Sequence, residues 1–292
     1  MLGLLSEISG NLPDEVGTGL LVASFIALGI CFVGISLCLR WLLPLFKGQA
    51  GRVPVCFRQT APSDPKSTPP SPPVLLAGLW IAFQLINTLI NDLLPQPAHA
   101  SLPDLDVLIT NAVLLFGIGG FLVLLWVISP ESGKFIDYFR VKHWKTELQA
   151  GAELMLLVMP WTLLLGLISS LWKTPEDVHP LLQSLKEGGI DLQIGIAVTA
   201  VLVAPLVEEF LFRVLLLNGL INQRQLSRVS AWIIVSVCFA LAHGFANALQ
   251  LLPLSLALGW CLICRQSYLA IVVAHALFNG TMLIIALISL WS

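Results

Sequence analysis

The chain has 292 residues, of which 57% are hydrophobic and only 11% are charged, and its mean hydropathy is +0.89. This composition excludes an ordinary soluble domain and predicts an integral membrane protein. The formal net charge of −2 gives no bulk basic character, so we expect no nucleic-acid partner. Runs of Leu, Ile, Val and Ala recur without alternating apolar and polar positions, which favours a helical bundle over a membrane β-barrel.

Eight apolar runs are long enough to be candidate transmembrane helices. They lie at 18–39, 74–94, 107–128, 150–171, 193–217, 229–247, 249–265 and 268–291. The sixth and seventh are short, and Gly244, Asn247 and Pro253 predict an irregular connection between them. The predicted fold class is therefore all-α, a polytopic membrane helical bundle of about eight transmembrane helices.

The basic residues predict the orientation of this bundle. Twelve of the 15 Lys and Arg residues lie in alternate loops or at a span end, on one side of the predicted membrane. The positive-inside rule places that side in the cytoplasm and both termini outside it. In the first of these loops, residues 61–73 contain six prolines, which predicts an extended cytoplasmic linker.

Three charged residues, Glu208, Glu209 and Arg213, lie inside the fifth apolar run. Each such charge costs roughly 2.5–3.5 kcal/mol near the centre of a membrane, so each needs a partner or a function. Glu209 and Arg213 are four residues apart and share a helix face, which predicts an ion pair. Glu208 lies about 100° around the helix. It has no cation at the matching position, so its carboxylate is free to face a cavity.

Two histidines lie in later apolar runs, His243 four residues after Phe239 and His275 four residues before Asn279. A carboxylate can take a proton from water, and an adjacent histidine can hold that water. A His/Asn pair can donate hydrogen bonds to a developing oxyanion. Two imidazoles and a carboxylate are also zinc ligands, so a divalent metal at Glu208, His243 and His275 stays open.

These residues resemble the marks of the CPBP family of intramembrane proteases, the group containing the type II CAAX prenyl endopeptidases. The motifs EExxxR, FxxxH and HxxxN occur in order within residues 192–287. One departure is Val214, where many members have glycine. Residues 151–292 are therefore interpreted as a CPBP-like catalytic membrane core, and residues 1–150 as N-terminal membrane helices with the Pro-rich linker. The two parts form one integral membrane unit.

The resemblance implies roles for the individual residues. Glu208 would activate water with help from His243, and His275 and Asn279 would form the oxyanion site. Glu209, Arg213 and Phe239 would support the pocket. The family is commonly described as metalloendopeptidases, although a glutamate-dependent mechanism without a required metal fits the free Glu208 at least as well.

The leading hypothesis is an intramembrane endopeptidase with its active site open to the cytoplasm. Its substrate would be a lipidated CAAX-type protein or a hydrophobic peptide, cleaved near the C-terminus and surrounded by membrane lipids. One alternative is a non-proteolytic membrane scaffold or chaperone of the same fold. Another is a proton- or ion-coupled transporter, which would more naturally spread polar residues over several spans.

Overall fold

The computed structural model describes residues 14–46, 53–58, 143–171, 189–222 and 226–290, with a few isolated residues between 76 and 139. The elements in these ranges are all helical, which confirms the all-α prediction. The linker at 61–73 lies outside the described residues. The predicted spans at 74–94 and 107–128 do so too, apart from isolated positions.

Six helices make up the described part of the chain. They are α1 (Asp14–Phe46), α2 (Trp144–Ser169), α3 (Ile190–Ile221), α4 (Arg228–Leu241), α5 (Phe245–Arg265) and α6 (Tyr268–Leu290). All except α4 are long and apolar enough to cross a membrane, so five candidate spans are present and the predicted eight are not confirmed. A 3₁₀ turn at Val55–Phe57 lies between α1 and α2 in sequence.

The sixth predicted span, 229–247, does not form one long helix. Helix α4 has 14 residues and is about 21 Å long, shorter than a hydrocarbon core of about 30 Å. The chain turns after Leu241 because Gly244 adopts φ 89° and ψ 150°, a conformation that only glycine adopts readily. The irregular connection predicted from Gly244 is therefore present, and it places His243 in a turn.

The core forms where α2 packs against α5 and α6, with Leu154, Leu258 and Ile271 fully buried. Small residues allow the close approach. A Cβ on Gly151 would lie 2.7 Å from the carbonyl oxygen of Ala270, so a larger side chain would force α2 and α6 apart. The distance between the two helices is therefore fixed by this contact. Helix α6, which carries His275, is held in place by it.

Helix α3 is irregular around its charged residues. Wider π-helical turns occur at Thr199–Val203 and Phe210–Leu217, on either side of the regular segment Ala204–Glu209. Side-chain donors bind backbone carbonyl groups in both π-turns and between them: Asn279 binds Ala200, Asn218 binds Arg213 and Val214, and Tyr268 binds Leu206 in the regular segment. Such π-turns are frequent at functional sites, and here they flank the segment that carries Glu208 and Glu209.

Candidate active site

The structure brings together five of the residues singled out from the sequence. Helix α3 supplies Glu208, Glu209 and Arg213, the turn after α4 supplies His243, and α6 supplies His275. These five residues come from segments up to 67 positions apart in the chain, counted from residue 208 to residue 275. Only Glu209 and Arg213 are neighbours because of their spacing along one helix. The other residues come together because of the tertiary fold.

The ion pair expected from the i, i+4 spacing is present. Arg213 Nη1 lies 3.2 Å from Glu209 Oε1, and both side chains are buried, with exposures of 1% and 0%. The same Oε1 atom accepts a hydrogen bond of 2.8 Å from His275 Nδ1. The Glu209 carboxylate therefore links the cation of α3 to the imidazole of α6.

Arg213 has further partners on two other helices. Its Nη2 donates to Ser255 Oγ at 2.9 Å and to the Ser255 carbonyl oxygen at 3.4 Å. Its guanidinium lies 4.1 Å from the centre of the Phe239 ring and 5.8 Å from that of Phe212. A buried cation is stabilised by contacts of this kind, so Arg213 holds α3, α4 and α5 together at the site.

Glu208 has a different environment. Its Oε2 lies 3.7 Å from His243 Nε2 and 3.9 Å from His275 Nε2, beyond direct hydrogen-bond distance but suitable for a bridging water. Its side chain is 19% exposed and that of His243 is 30% exposed, whereas Glu209 is fully buried. Glu208 is thus the more exposed carboxylate of the pair, and its Oε2 atom is buried without a hydrogen-bond partner among the described residues.

The hydrogen bonds at the two Nδ1 atoms fix the imidazole orientations. The carbonyl oxygen of Phe239 can only accept, so His243 Nδ1–H donates to it at 2.8 Å. Glu209 accepts from His275 Nδ1–H in the same way. Both rings therefore turn their Nε2 atoms towards Glu208, where a neutral imidazole presents a lone pair.

The Phe239 ring supports this arrangement by packing. Its centre lies 4.7 Å from that of His243 and 5.7 Å from that of His275. It also meets the Phe212 ring edge-on at 5.1 Å. Phe239 is fully buried. One aromatic ring therefore contacts both imidazoles and the guanidinium, which explains how an FxxxH spacing serves a site of this kind.

The charges of the site do not balance. Glu208, Glu209 and Arg213 leave one negative charge in excess when both carboxylates are ionised. A buried excess charge is unfavourable unless neighbouring groups compensate it, and here two imidazole Nε2 atoms face the Glu208 carboxylate. Carboxylate and imidazole are the side-chain groups that general acid–base catalysis most often uses.

Asn279 lies one helical turn beyond His275 on α6. Its Nδ2 donates to the carbonyl oxygen of Ala200 at 2.8 Å, in the first π-turn of α3. The structure therefore gives Asn279 a contact with the backbone near the site, which sequence spacing did not predict. The amide nitrogen has a second hydrogen that this contact does not use.

The geometry does not favour a metal centre. In the described ranges, no group of three or more His, Cys, Asp or Glu side chains is arranged to hold a metal ion. Glu208, His243 and His275 have the donor types that zinc prefers, but their positions do not fit such a site.

Other buried polar residues were missed by sequence reasoning. Ser255 is fully buried beside Arg213. A second charged group, named here the α2–α5 cluster, consists of the buried residues Glu147 and Arg265 and the half-buried Glu153. Its ion pair joins residues 118 positions apart in the chain, so no helical spacing relates them. The sequence held one signal for them, since each of these polar residues lies within or beside an apolar run.

The fold and the site define a polytopic helical membrane protein with a carboxylate–histidine cluster inside the bundle. Residues 191–281 match the family model described as "Type II CAAX prenyl endopeptidase Rce1-like", in agreement with the resemblance that the motifs of this segment indicated. That family indicates a protease, and five long apolar helices agree with a protein integral to the membrane. No curated protein and no solved structure matches the chain.

Proposed function

We propose that this protein is an intramembrane endopeptidase in which Glu208 activates a water molecule. The observation that carries the proposal is the position of Glu208 Oε2, which two imidazole Nε2 atoms face at 3.7 and 3.9 Å. The adjacent Glu209 is neutralised by Arg213 and fully buried. Of the two carboxylates, Glu208 is therefore the more exposed one and the one that the imidazole nitrogens face.

The reaction begins with a water molecule held between Glu208 and His243. Glu208 takes one proton from the water, and the water oxygen attacks the carbonyl carbon of the scissile peptide bond. The tetrahedral intermediate then breaks its C–N bond, and the leaving amine nitrogen receives the proton from Glu208. The products are a new carboxyl terminus and a new amino terminus, and Glu208 returns to its ionised form.

His275 and Asn279 stabilise the oxyanion of that intermediate. Because His275 Nδ1–H donates to Glu209, this imidazole can donate from Nε2 only when it is doubly protonated. Asn279 can contribute its second amide hydrogen while the first binds Ala200. Oxyanion donors of this kind typically contribute about 10²–10³-fold in rate each.

The substrate class follows from the surroundings of the site. Glu208 lies within α3, which is one of the five candidate membrane spans. The scissile bond must therefore enter a helical bundle in the membrane to reach it. A lipid chain or an apolar segment near the C-terminus of the substrate would bring it there. We propose a lipidated CAAX-type protein or a hydrophobic membrane peptide, entering from the cytoplasmic side that the basic loops indicate.

The test is Glu208→Gln in purified protein reconstituted in liposomes, with a farnesylated CAAX peptide and an unlipidated apolar peptide as substrates. We expect the loss of at least about 10³-fold in kcat, because glutamine cannot accept a proton from water. Glu153→Gln is the matched control, since its side-chain oxygen still accepts a hydrogen bond from the Cys56 N–H. Cleavage by Glu208→Gln at the rate of the parent protein would remove Glu208 as the base.

A further inference from the structure

We propose that Ser255 is a positioning residue for the site, acting through Arg213 and Glu209 on His275. Ser255 lies on α5, outside the three sequence motifs, and is fully buried. The inference rests on the proposed function for its kinetic test, but its structural test does not need peptidase activity. Its basis is a continuous set of side-chain contacts that ends at the imidazole facing Glu208.

The first contact joins Ser255 to Arg213. Arg213 Nη2 donates to Ser255 Oγ at 2.9 Å, while Nη1 lies 3.2 Å from Glu209 Oε1. A guanidinium is planar and rigid, so an anchor at Nη2 determines the direction in which Nη1 points. The Phe239 ring, 4.1 Å from the guanidinium carbon, supports one face but does not fix rotation within the plane.

The second contact joins Glu209 to His275. Glu209 Oε1 accepts a hydrogen bond from His275 Nδ1 at 2.8 Å and forms an ion pair with Arg213 Nη1 at 3.2 Å, without a hydrogen bond from that nitrogen. Both groups draw on the charge of one oxygen atom, so a displaced guanidinium changes the hydrogen bond that orients the imidazole. His275 Nε2 lies 3.9 Å from Glu208 Oε2, so this change reaches the reacting groups.

The chemistry of serine fits this role. In a helix, a serine hydroxyl often binds the carbonyl group one turn earlier, and its oxygen keeps a lone pair that can accept from another donor. Here that acceptor faces a buried cation. Without the hydroxyl, Nη2 would retain only the Ser255 carbonyl oxygen at 3.4 Å. A buried charged donor that loses its partner is strongly disfavoured, so the guanidinium would move.

The kinetic test compares Ser255→Ala, Ser255→Thr and Ser169→Ala. Ser169 is the matched control, since it is fully buried and its hydroxyl binds the Gly166 carbonyl of its own helix at 3.0 Å. We expect Ser255→Ala to lower kcat by about 10–100-fold, with KM changed by less than about 2-fold. Threonine restores most of the rate because it keeps the oxygen. Equal losses in Ser255→Ala and Ser169→Ala would overturn the proposal.

The structural test uses ¹⁵N NMR of histidine-labelled protein in nanodiscs, with the His275 signals assigned by their absence in His275→Ala. We expect Ser255→Ala to shift the Nδ1 resonance of His275, and Ser255→Thr and Ser169→Ala to leave it in place. An unchanged His275 resonance in Ser255→Ala would overturn the inference. This readout decides the question even if the parent protein cleaves neither peptide, so the two proposals can fail separately.

Discussion

Arg265 and Arg213 are both buried guanidinium groups, yet they bind carboxylates in different ways. Arg265 uses Nε and Nη2 to reach both oxygens of Glu147, at 2.6 and 2.8 Å, and its Nη1 binds the Val55 carbonyl at 2.7 Å. Arg213 contacts a single oxygen of Glu209. The bidentate geometry at Arg265 is the strong and specific form of this interaction, so that pair is closed to further chemistry.

The two groups otherwise contain the same charges, two glutamates and one arginine. In the α2–α5 cluster, the second carboxylate, Glu153, accepts the Cys56 backbone N–H at 3.0 Å. In α3, the second carboxylate, Glu208, faces two imidazoles. A backbone amide does not act as a general acid or base near neutral pH, whereas an imidazole can. The two groups therefore differ in the partner of the second carboxylate and not in the charges that they contain.

Replacing each arginine by alanine tests this comparison with the largest expected effect. Either change leaves a buried carboxylate without its cation, so both should lower the free energy of unfolding by about 3–5 kcal/mol. Only Arg213→Ala should also abolish cleavage per folded molecule, because Glu209 and His275 lose their arrangement. Thermal unfolding in detergent and kcat measured on the folded fraction give the two quantities.

Lysine variants of the same positions provide the control for charge. Arg213→Lys and Arg265→Lys keep the cation but lose the planar guanidinium. We expect Arg213→Lys to be folded and poorly active, and Arg265→Lys to be less stable but active. If Arg265→Ala lost as much kcat per folded molecule as Arg213→Ala, the α2–α5 cluster would be part of the site, and the distinction between the clusters would fail.

His243→Ala tests the imidazoles that distinguish the two clusters. Removing a group that holds and polarises the attacking water should lower kcat by about 10²–10⁴-fold, with a small effect on stability because His243 lies in a turn and is 30% exposed. His143→Ala is the control, since His143 is an exposed residue before α2 whose side chain makes no capping hydrogen bond. Similar kinetics for the two variants would assign His243 a purely structural role.

Asn279→Ala separates two roles that the structure allows for one side chain. If the amide stabilises the oxyanion, kcat should fall by about 10²-fold with KM little changed. If it serves only to hold the Ala200 carbonyl, stability should fall by about 0.5–1.5 kcal/mol and kcat per folded molecule should not. Thr281→Ala is the control on the same helix, because its hydroxyl binds the Leu277 carbonyl of α6 itself.

Sequence reasoning succeeded where residues one helical turn apart determine a contact. The Glu209–Arg213 pair followed from spacing alone, and Glu208 was separated from it by the same argument. The approach of His243 and His275 to Glu208 was predicted from the similar depths of the three residues in their apolar runs and from the family motifs, since no spacing within one helix relates them. The role of each residue in catalysis is still a prediction.

The remaining features could not be read from the sequence because they depend on tertiary packing. Arg265 binds a carboxylate 118 residues away, and Ser255 is one of many small residues in apolar helices. The π-turns of α3 have no local composition signal, and in the first of them the Ala200 carbonyl binds a side chain of α6, that of Asn279. The predicted span at 229–247 failed for a local reason, the left-handed backbone of Gly244.

The two clusters also differ in the residue that follows them, and this gives the smallest and most specific test. Gly244 follows His243 with φ 89°, and Gln266 follows Arg265 with φ 55°. Gly244→Ala should destabilise by about 1–3 kcal/mol and lower kcat a few-fold, because the strained turn moves His243. Gln266→Gly should stabilise by up to about 1 kcal/mol and leave kcat unchanged, because glycine is favoured in this conformation after a helix.

Gly29→Ala calibrates both changes, since a Cβ at that position of α1 meets nothing within 4 Å. This change should raise the free energy of unfolding by a few tenths of a kcal/mol, up to about 1, from helix propensity alone. Stability should fall in Gly244→Ala and rise in Gln266→Gly, and kcat should change only in Gly244→Ala. That result would show that kcat depends on the backbone geometry of the turn that carries His243. A fall in kcat for Gln266→Gly would instead show that the end of α5 is coupled to the site, through the helix that carries Ser255.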